Sequence, residues 1–170
     1  MKDFKHLFVR ELKEMFSAET QIERALAEMA KRTFDPKLKE AFLAHHAEIR
    51  NQIQRLETIG QEFLVNFSDA RCEPVKAILK QGFEEIKSEY TKEILDAAMI
   101  NCIQKVKHFE IAGYGILKSF AKHLKLPKIE KLLEQSSREE GRADKWLTEI
   151  AEGTGMTAGI NRKACLRKCA

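Results

Sequence analysis

The sequence predicts an all-α fold: four long helices in two antiparallel hairpins, with a short fifth helix in the connection between them. Three observations predict it. Apolar residues recur at three- and four-residue spacing along almost the whole chain. Only 8 Gly and 3 Pro occur in 170 residues, too few turn-formers for a succession of short strands. The breakers that do occur, at Asp35-Pro36, before Val75 and at Leu126-Pro127, separate stripes long enough for helices.

Each element follows in order. Phe4, Phe8, Leu12, Met15, Ile22, Leu26 and Met29 trace one stripe over residues 4 to 32. Asp35 then reads as a helix N-cap and Pro36 as the first helical position, its φ preset by the ring. A second stripe, Leu38, Phe42, His45, Gln52, Leu56 and Ile59, ends near Gly60. Residues 61 to 74 are irregular, and a shorter helix over 75 to 90 carries Ile78, Leu79, Phe83 and Ile86. Thr91 can cap a long helix running to His123, with Met99, Ile103, Val106, Tyr114 and Leu117 inward. After Leu126-Pro127 the last helix, 128 to 152, shows Leu132, Leu133, Ser136, Leu147 and Ile150 on one face. No segment reads as a strand. Helices of about 25 to 30 residues are roughly 37 to 45 Å long. Two hairpins joined by one long crossover form the ferritin-like variant of the four-helix bundle.

The chain divides into a bundle, 1 to 152, and a C-terminal tail, 153 to 170, expected to be basic, flexible and solvated. The tail holds Arg162, Lys163, Arg167 and Lys168 and no acid. The other 26 basic residues match all 26 acids, so the net charge of +4 belongs to the tail. A neutral body argues against a nucleic-acid-binding protein, leaving weak phosphate contact through the tail as the one such route. No run of about 18 apolar residues is present, and the first residues lack an apolar signal core, so a cytoplasmic location is expected. Cys72, Cys102, Cys165 and Cys169 make no disulfide framework, and the Cys165–Cys169 pair has no histidine beside it for a zinc site. Hydrolase and nucleotide-binding motifs are absent.

Carboxylates interrupt the core stripes. Glu19 lies seven residues from both Leu12 and Leu26, and Glu110 seven from both Ile103 and Leu117. Glu140 precedes Leu147 by seven, and Glu48 falls between His45 and Gln52. Glu19 to Glu48 is 29 residues and Glu110 to Glu140 is 30, so antiparallel hairpins bring these acids to matching heights. Gln52 and Asp144 follow the second acid of each hairpin by four residues. Grouped buried carboxylates must share protons, find cations or bind metal, because each buried charge costs several kcal/mol. Lys107 is the one cationic side chain within a turn of these glutamates on the same face, and one lysine cannot balance five acids. An oxygen-rich core site suits iron or manganese, in a one- or two-ion centre. The Glu-x-x-His pattern of bundle di-metal sites is missing, since Glu48 leads to Asn51 and Glu140 to Ala143. His45, a turn before Glu48, is the available substitute, and Tyr114 can hydrogen-bond a ligand. His6, His46, His108 and His123 fall off the inward lines. Gly113 and Gly115 leave room for a neighbouring helix.

These segments carry a resemblance. Phe16-Ser-Ala-Glu19, the stretch from Glu40 to His45 with Glu48 and Gln52, Gln104-Lys-Val-Lys-His-Phe-Glu110-Ile-Ala-Gly-Tyr114-Gly115, and Leu132-Leu133 with Glu139-Glu140 and Asp144 resemble the YciE/YciF family of bacterial ferritin-like proteins. The resemblance spans residues 3 to 152. It implies a homodimeric bundle linked to bacterial stress responses, with a di-iron-type site on Glu19, Glu48, Glu110, Glu140 and Asp144. One departure stands out: family members often carry Glu where this chain has Lys107, which points to weaker or single-ion binding. Two readings therefore stand, a metal-binding bundle of iron or manganese type and a metal-free structural or interaction module. DNA contact through the tail is a third.

Overall fold

The computed structural model describes residues 3–155 and 157–166. Its helices are α1 (Phe4–Arg32), α2 (Pro36–Glu62), α3 (Glu73–Ile86), α4 (Lys92–His123), α5 (Pro127–Glu152) and α6 (Ile160–Leu166). A two-residue hairpin, β1 (Gly153–Thr154) and β2 (Thr157–Ala158), separates the last two. α1 packs along α2 and α4 along α5, and the two hairpins meet through α1–α4 and α2–α5 contacts. The all-α, two-hairpin bundle predicted above is the fold of the protein. α4, at 32 residues, runs about 48 Å.

Local chemistry sets the boundaries. Asp3 caps α1 by accepting from the His6 amide at 2.9 Å. Asp35 caps α2, accepting from the Lys37 and Leu38 amides, with Pro36 in the first turn. The turn before it is clamped from α4. The buried Asp96 carboxylate accepts the Phe34 amide at 2.9 Å and the Asp35 amide at 2.7 Å. α3 starts at Glu73, earlier than the expected 75, because Pro74 fits a first helical turn, and it stops at Ile86 rather than 90. Thr91 is the α4 N-cap residue by position, without a side-chain capping bond.

The long crossover is tied down along α1. Phe67 stacks on Phe16 at 4.1 Å between centroids, Lys13 pairs with Asp69 at 2.7 Å, and Gln21 Nε2 donates to the Cys72 carbonyl at 3.1 Å. Gly113 lets α1 pack close on α4: a Cβ there would sit 2.4 Å from Met15 Sδ. Gly115, expected to serve the same approach, faces open space.

The segment after residue 152 departs from the flexible tail expected of it. Gly153, at φ 87°, turns the chain into the short hairpin, and α6 packs back on α4 and α5 with Ile160 buried. Lys163 reaches Asp35 at 3.3 Å. An apolar anchor therefore holds what charge alone marked as solvated. Arg167, Lys168 and Cys169 lie outside the described residues.

Two apolar clusters fill the bundle. One gathers Ala18, Ile22, Ile49, Ile103, Val106 and their neighbours. The other gathers Leu12, Met15, Leu56, Tyr114, Leu117 and Leu133. Where the two clusters meet, a layer of buried polar side chains from all four long helices interrupts the apolar packing.

Candidate metal centre

That layer takes Glu19 from α1, His45 and Gln52 from α2, Lys107 and Glu110 from α4, and Ser136, Glu139 and Glu140 from α5, all buried. Each occupies an inward helical position one or two turns from a core apolar residue, so the stripes that build the core also aim these groups at one another.

Lys107 is at the centre. Its Nζ bonds His45 Nε2 and Glu140 Oε2, and lies 2.5 Å from Glu110 Oε2. Because the ammonium only donates, His45 Nε2 must accept, which places the ring proton on Nδ1. Nδ1 faces Glu48 Oε2 at 3.5 Å. Gln52 Nε2 donates to Glu140 Oε1 at 2.7 Å and to Glu139 Oε2 at 3.0 Å. Glu139 is gripped by Arg55, whose two terminal nitrogens each lie 2.7 Å from a carboxylate oxygen, and by Gln135 at 3.0 Å. On the far side of the layer, Tyr114 Oη donates to Glu19 Oε1 at 2.6 Å.

The acids divide by environment. Burial pushes the Glu19 carboxyl up to about 8, and the nearby Glu140 charge adds to the rise. Burial and Glu140 also hold Glu110 well above the carboxylate range. Burial works on Glu140 too, but Lys107 and the donors around it outweigh that and hold it low. Burial, followed by the Lys107 charge, takes His45 down to about 3. Lys107 stays charged because Glu110, Glu140 and Glu19 together overcome its burial. The ammonium thus sits against the Glu140 carboxylate, while burial shifts Glu19 and Glu110 toward the protonated form and His45 toward the neutral imidazole.

The sequence-derived candidates sort accordingly. Glu19, Glu110, Glu140, His45 and Gln52 are brought into one layer. Glu48 stays at its rim, its side chain 39% exposed and 3.7 Å from Arg142. Asp144 lies outside, half-buried, accepting from Gln104 at 3.5 Å. Lys107, weighed in the sequence as too little charge, proves to be the hub, and Glu139 with Arg55 was not anticipated.

The donor set was tested against a metal. One ligand atom each from His45, Glu110 and Glu140 lie within 4.8 Å of one another, and two metal–ligand bonds of about 2.1–2.2 Å span nearly that distance. Glu19 Oε2 and Glu110 Oε1 are buried with no hydrogen-bond partner. These features suit one ion. The same three donors, however, are the ones Lys107 Nζ contacts, so the ammonium holds the position an ion would need. A two-ion centre does not fit: Glu48 and Asp144 stay away, and a fixed positive charge fills the middle.

The pattern of a family described as a domain of unknown function, DUF892, matches residues 3–164. Protein YciF of Escherichia coli strain K12 is 36% identical over 165 residues, 96% of each chain. The crystal structure of that E. coli stress protein superposes with a TM-score of 0.84 over 88% of this chain and 95% of the other. YcfI of Rhodopseudomonas palustris, 29% identical, gives the same TM-score over 88% and 96% of the two chains. A Xanthomonas campestris protein at 20% identity, TM-score 0.71 over 86% and 90%, shares the fold. With the bundle, the in-register acids and these likenesses together, the chain belongs to the YciF (DUF892) family.

Proposed function

We propose that the protein is a stress-associated, homodimeric helical-bundle module of the bacterial cytoplasm whose core is closed by a lysine, so that it acts through its surface rather than through a redox centre. The observation that carries this reading is the Lys107 ammonium, in contact with His45, Glu110 and Glu140 at once. The ammonium already supplies positive charge to these donors, and entry of a divalent ion would require expelling it from its buried, bonded position. Kinship with a protein described as an E. coli stress protein supports the stress association. The family resemblance supports the homodimer.

A second reading, single-ion binding of iron or manganese, is favoured by the orphaned oxygens of Glu19 and Glu110 beside an imidazole. It requires Lys107 to turn out of the layer. Elemental analysis of untagged protein from iron- and manganese-supplemented cells, with light-scattering mass, separates the two. The lysine-closed reading expects a two-chain mass and metal far below stoichiometric. Roughly one tightly held ion per chain would overturn it.

A further inference from the structure

We infer that Lys107 is the barrier to metal binding in this core, and that removing its charge uncovers a site for a divalent transition metal held by His45, Glu110 and Glu140. The inference rests on the lysine-closed reading and extends it from what the core lacks to what a single side chain prevents.

Three observations carry it. The donors come from three different helices, α2, α4 and α5, and are already within 4.8 Å of one another, so no helix need move to gather them. A hydrogen bond to nitrogen is typically about 2.9 Å and a metal–ligand bond about 2.1 Å, so a bound ion asks the shell to tighten by about 0.8 Å. A supporting contact is also in place. Gln52 orients Glu140 through Oε1, leaving Oε2 for the centre, whereas Nδ1 of His45 makes no hydrogen bond and has Glu48 Oε2 at 3.5 Å. A metal-bound imidazole usually donates its far N–H to a carboxylate, a bond that Glu48 is near enough to complete once an ion draws the ring in. Finally, Glu19 Oε2 is a fully buried oxygen without a partner at the edge of the cluster, available as a fourth donor. One imidazole with carboxylates suits manganese, iron, cobalt or zinc better than calcium or magnesium, whose sites are built from oxygen alone.

The test uses the full chain as wild type, Lys107→Met, Lys107→Glu and the double variant His45→Ala/Lys107→Glu. Each is stripped with chelator, incubated with cobalt(II), dialysed and assayed for cobalt, with visible absorption and circular dichroism in parallel. The expected result is no retained cobalt in the wild type and roughly one ion per chain in both single variants. Loss of that ion in the double variant separates the core from surface binding. If a single variant is unfolded after stripping, cobalt should restore its helical signal, and failure of both to refold or retain cobalt would overturn the inference. Folded single variants that hold no cobalt would overturn it too, leaving the lysine-closed reading intact. Wild type that holds cobalt with Lys107 in place would instead overturn that reading.

Discussion

Lys107→Met, measured without metal, is the most informative perturbation of stability. Lys107 and Glu140 are both fully buried, and the ammonium bonds Glu140 while contacting Glu110 and His45. Methionine fills a similar volume, so the cavity contribution is small, and the loss falls on electrostatics. Breaking a buried pair by removing one partner costs about 3–5 kcal/mol, because the other charge is left uncompensated. With a urea m-value of about 2.5 kcal/mol per molar, the midpoint should fall by roughly 1.2–2 M. In a thermal melt the same loss is roughly 6–20 °C. Glu140→Gln added to Lys107→Met should recover most of it, since neutralising both partners of a buried pair is often close to neutral. The deficit should also shrink in acid. Burial raises Glu140, but Lys107 and the donors around it outweigh that and leave it below its ordinary value of 4.5, so its contribution is present above that value and lost as pH falls through the lower folded one. Lys107→Met has no such contribution to lose. A single variant with a midpoint within about 0.2 M of wild type would refute the reasoning, because no ordinary packing gain offsets a stranded buried charge.

Other predictions follow from the same layer and its surroundings. Glu19 titrates near 8 in the fold against 4.5 unfolded, so the stability it lends is full below 4.5 and is lost as pH rises through 8. Chemical denaturation from pH 5 to 9 should show that decline, and Glu19→Gln should flatten it, gaining several kcal/mol at pH 9. Tyr114→Phe removes the donor to Glu19 and should cost about 1–3 kcal/mol by urea titration. Arg55→Ala removes the cation paired with buried Glu139, leaving it to the Gln52 and Gln135 donors, and a loss of about 2 kcal/mol is expected in the same assay. Gly82→Ala would place a Cβ 2.2 Å from Cys102 Sγ and 2.7 Å from its Cβ, so prying α3 from α4 should lower the melting midpoint by several degrees.

Much of this was legible in the sequence because heptad arithmetic is reliable along long, uninterrupted helices. Glu19, Glu110 and Glu140 stand seven residues from core leucines or isoleucine and point where those residues point. Glu48 and Asp144 failed for a local reason. Ile49 takes the inward slot four residues after His45, and Ala143 takes the slot three after Glu140, which rotates each acid about 100° off the axis of the core. The charge balance failed as a consequence. Five ionised acids would overwhelm one lysine, but two of the five are not in the layer and burial shifts two more, Glu19 and Glu110, toward the protonated form. The lysine then has less negative charge to offset, and a shift by burial is visible only once neighbours are known. Arg55, one turn beyond Gln52, was the available signal for the Glu139 pair. The C-terminal segment was misjudged because its charge was weighed and its single well-placed apolar residue, Ile160, was not.

The Asp96 clamp has a consequence for the order in which the chain becomes native during synthesis. The turn between α1 and α2 leaves its Phe34 and Asp35 amides to a carboxylate that is made 61 to 62 residues later. At about 5–20 residues per second, the ribosome takes roughly 3–12 seconds to supply it. Until then the first hairpin can pair its apolar faces but not close its own corner, and the two amides stay with water. Completing the first hairpin is therefore an event of the second half of translation: α4, not the loop itself, gives that corner its final shape.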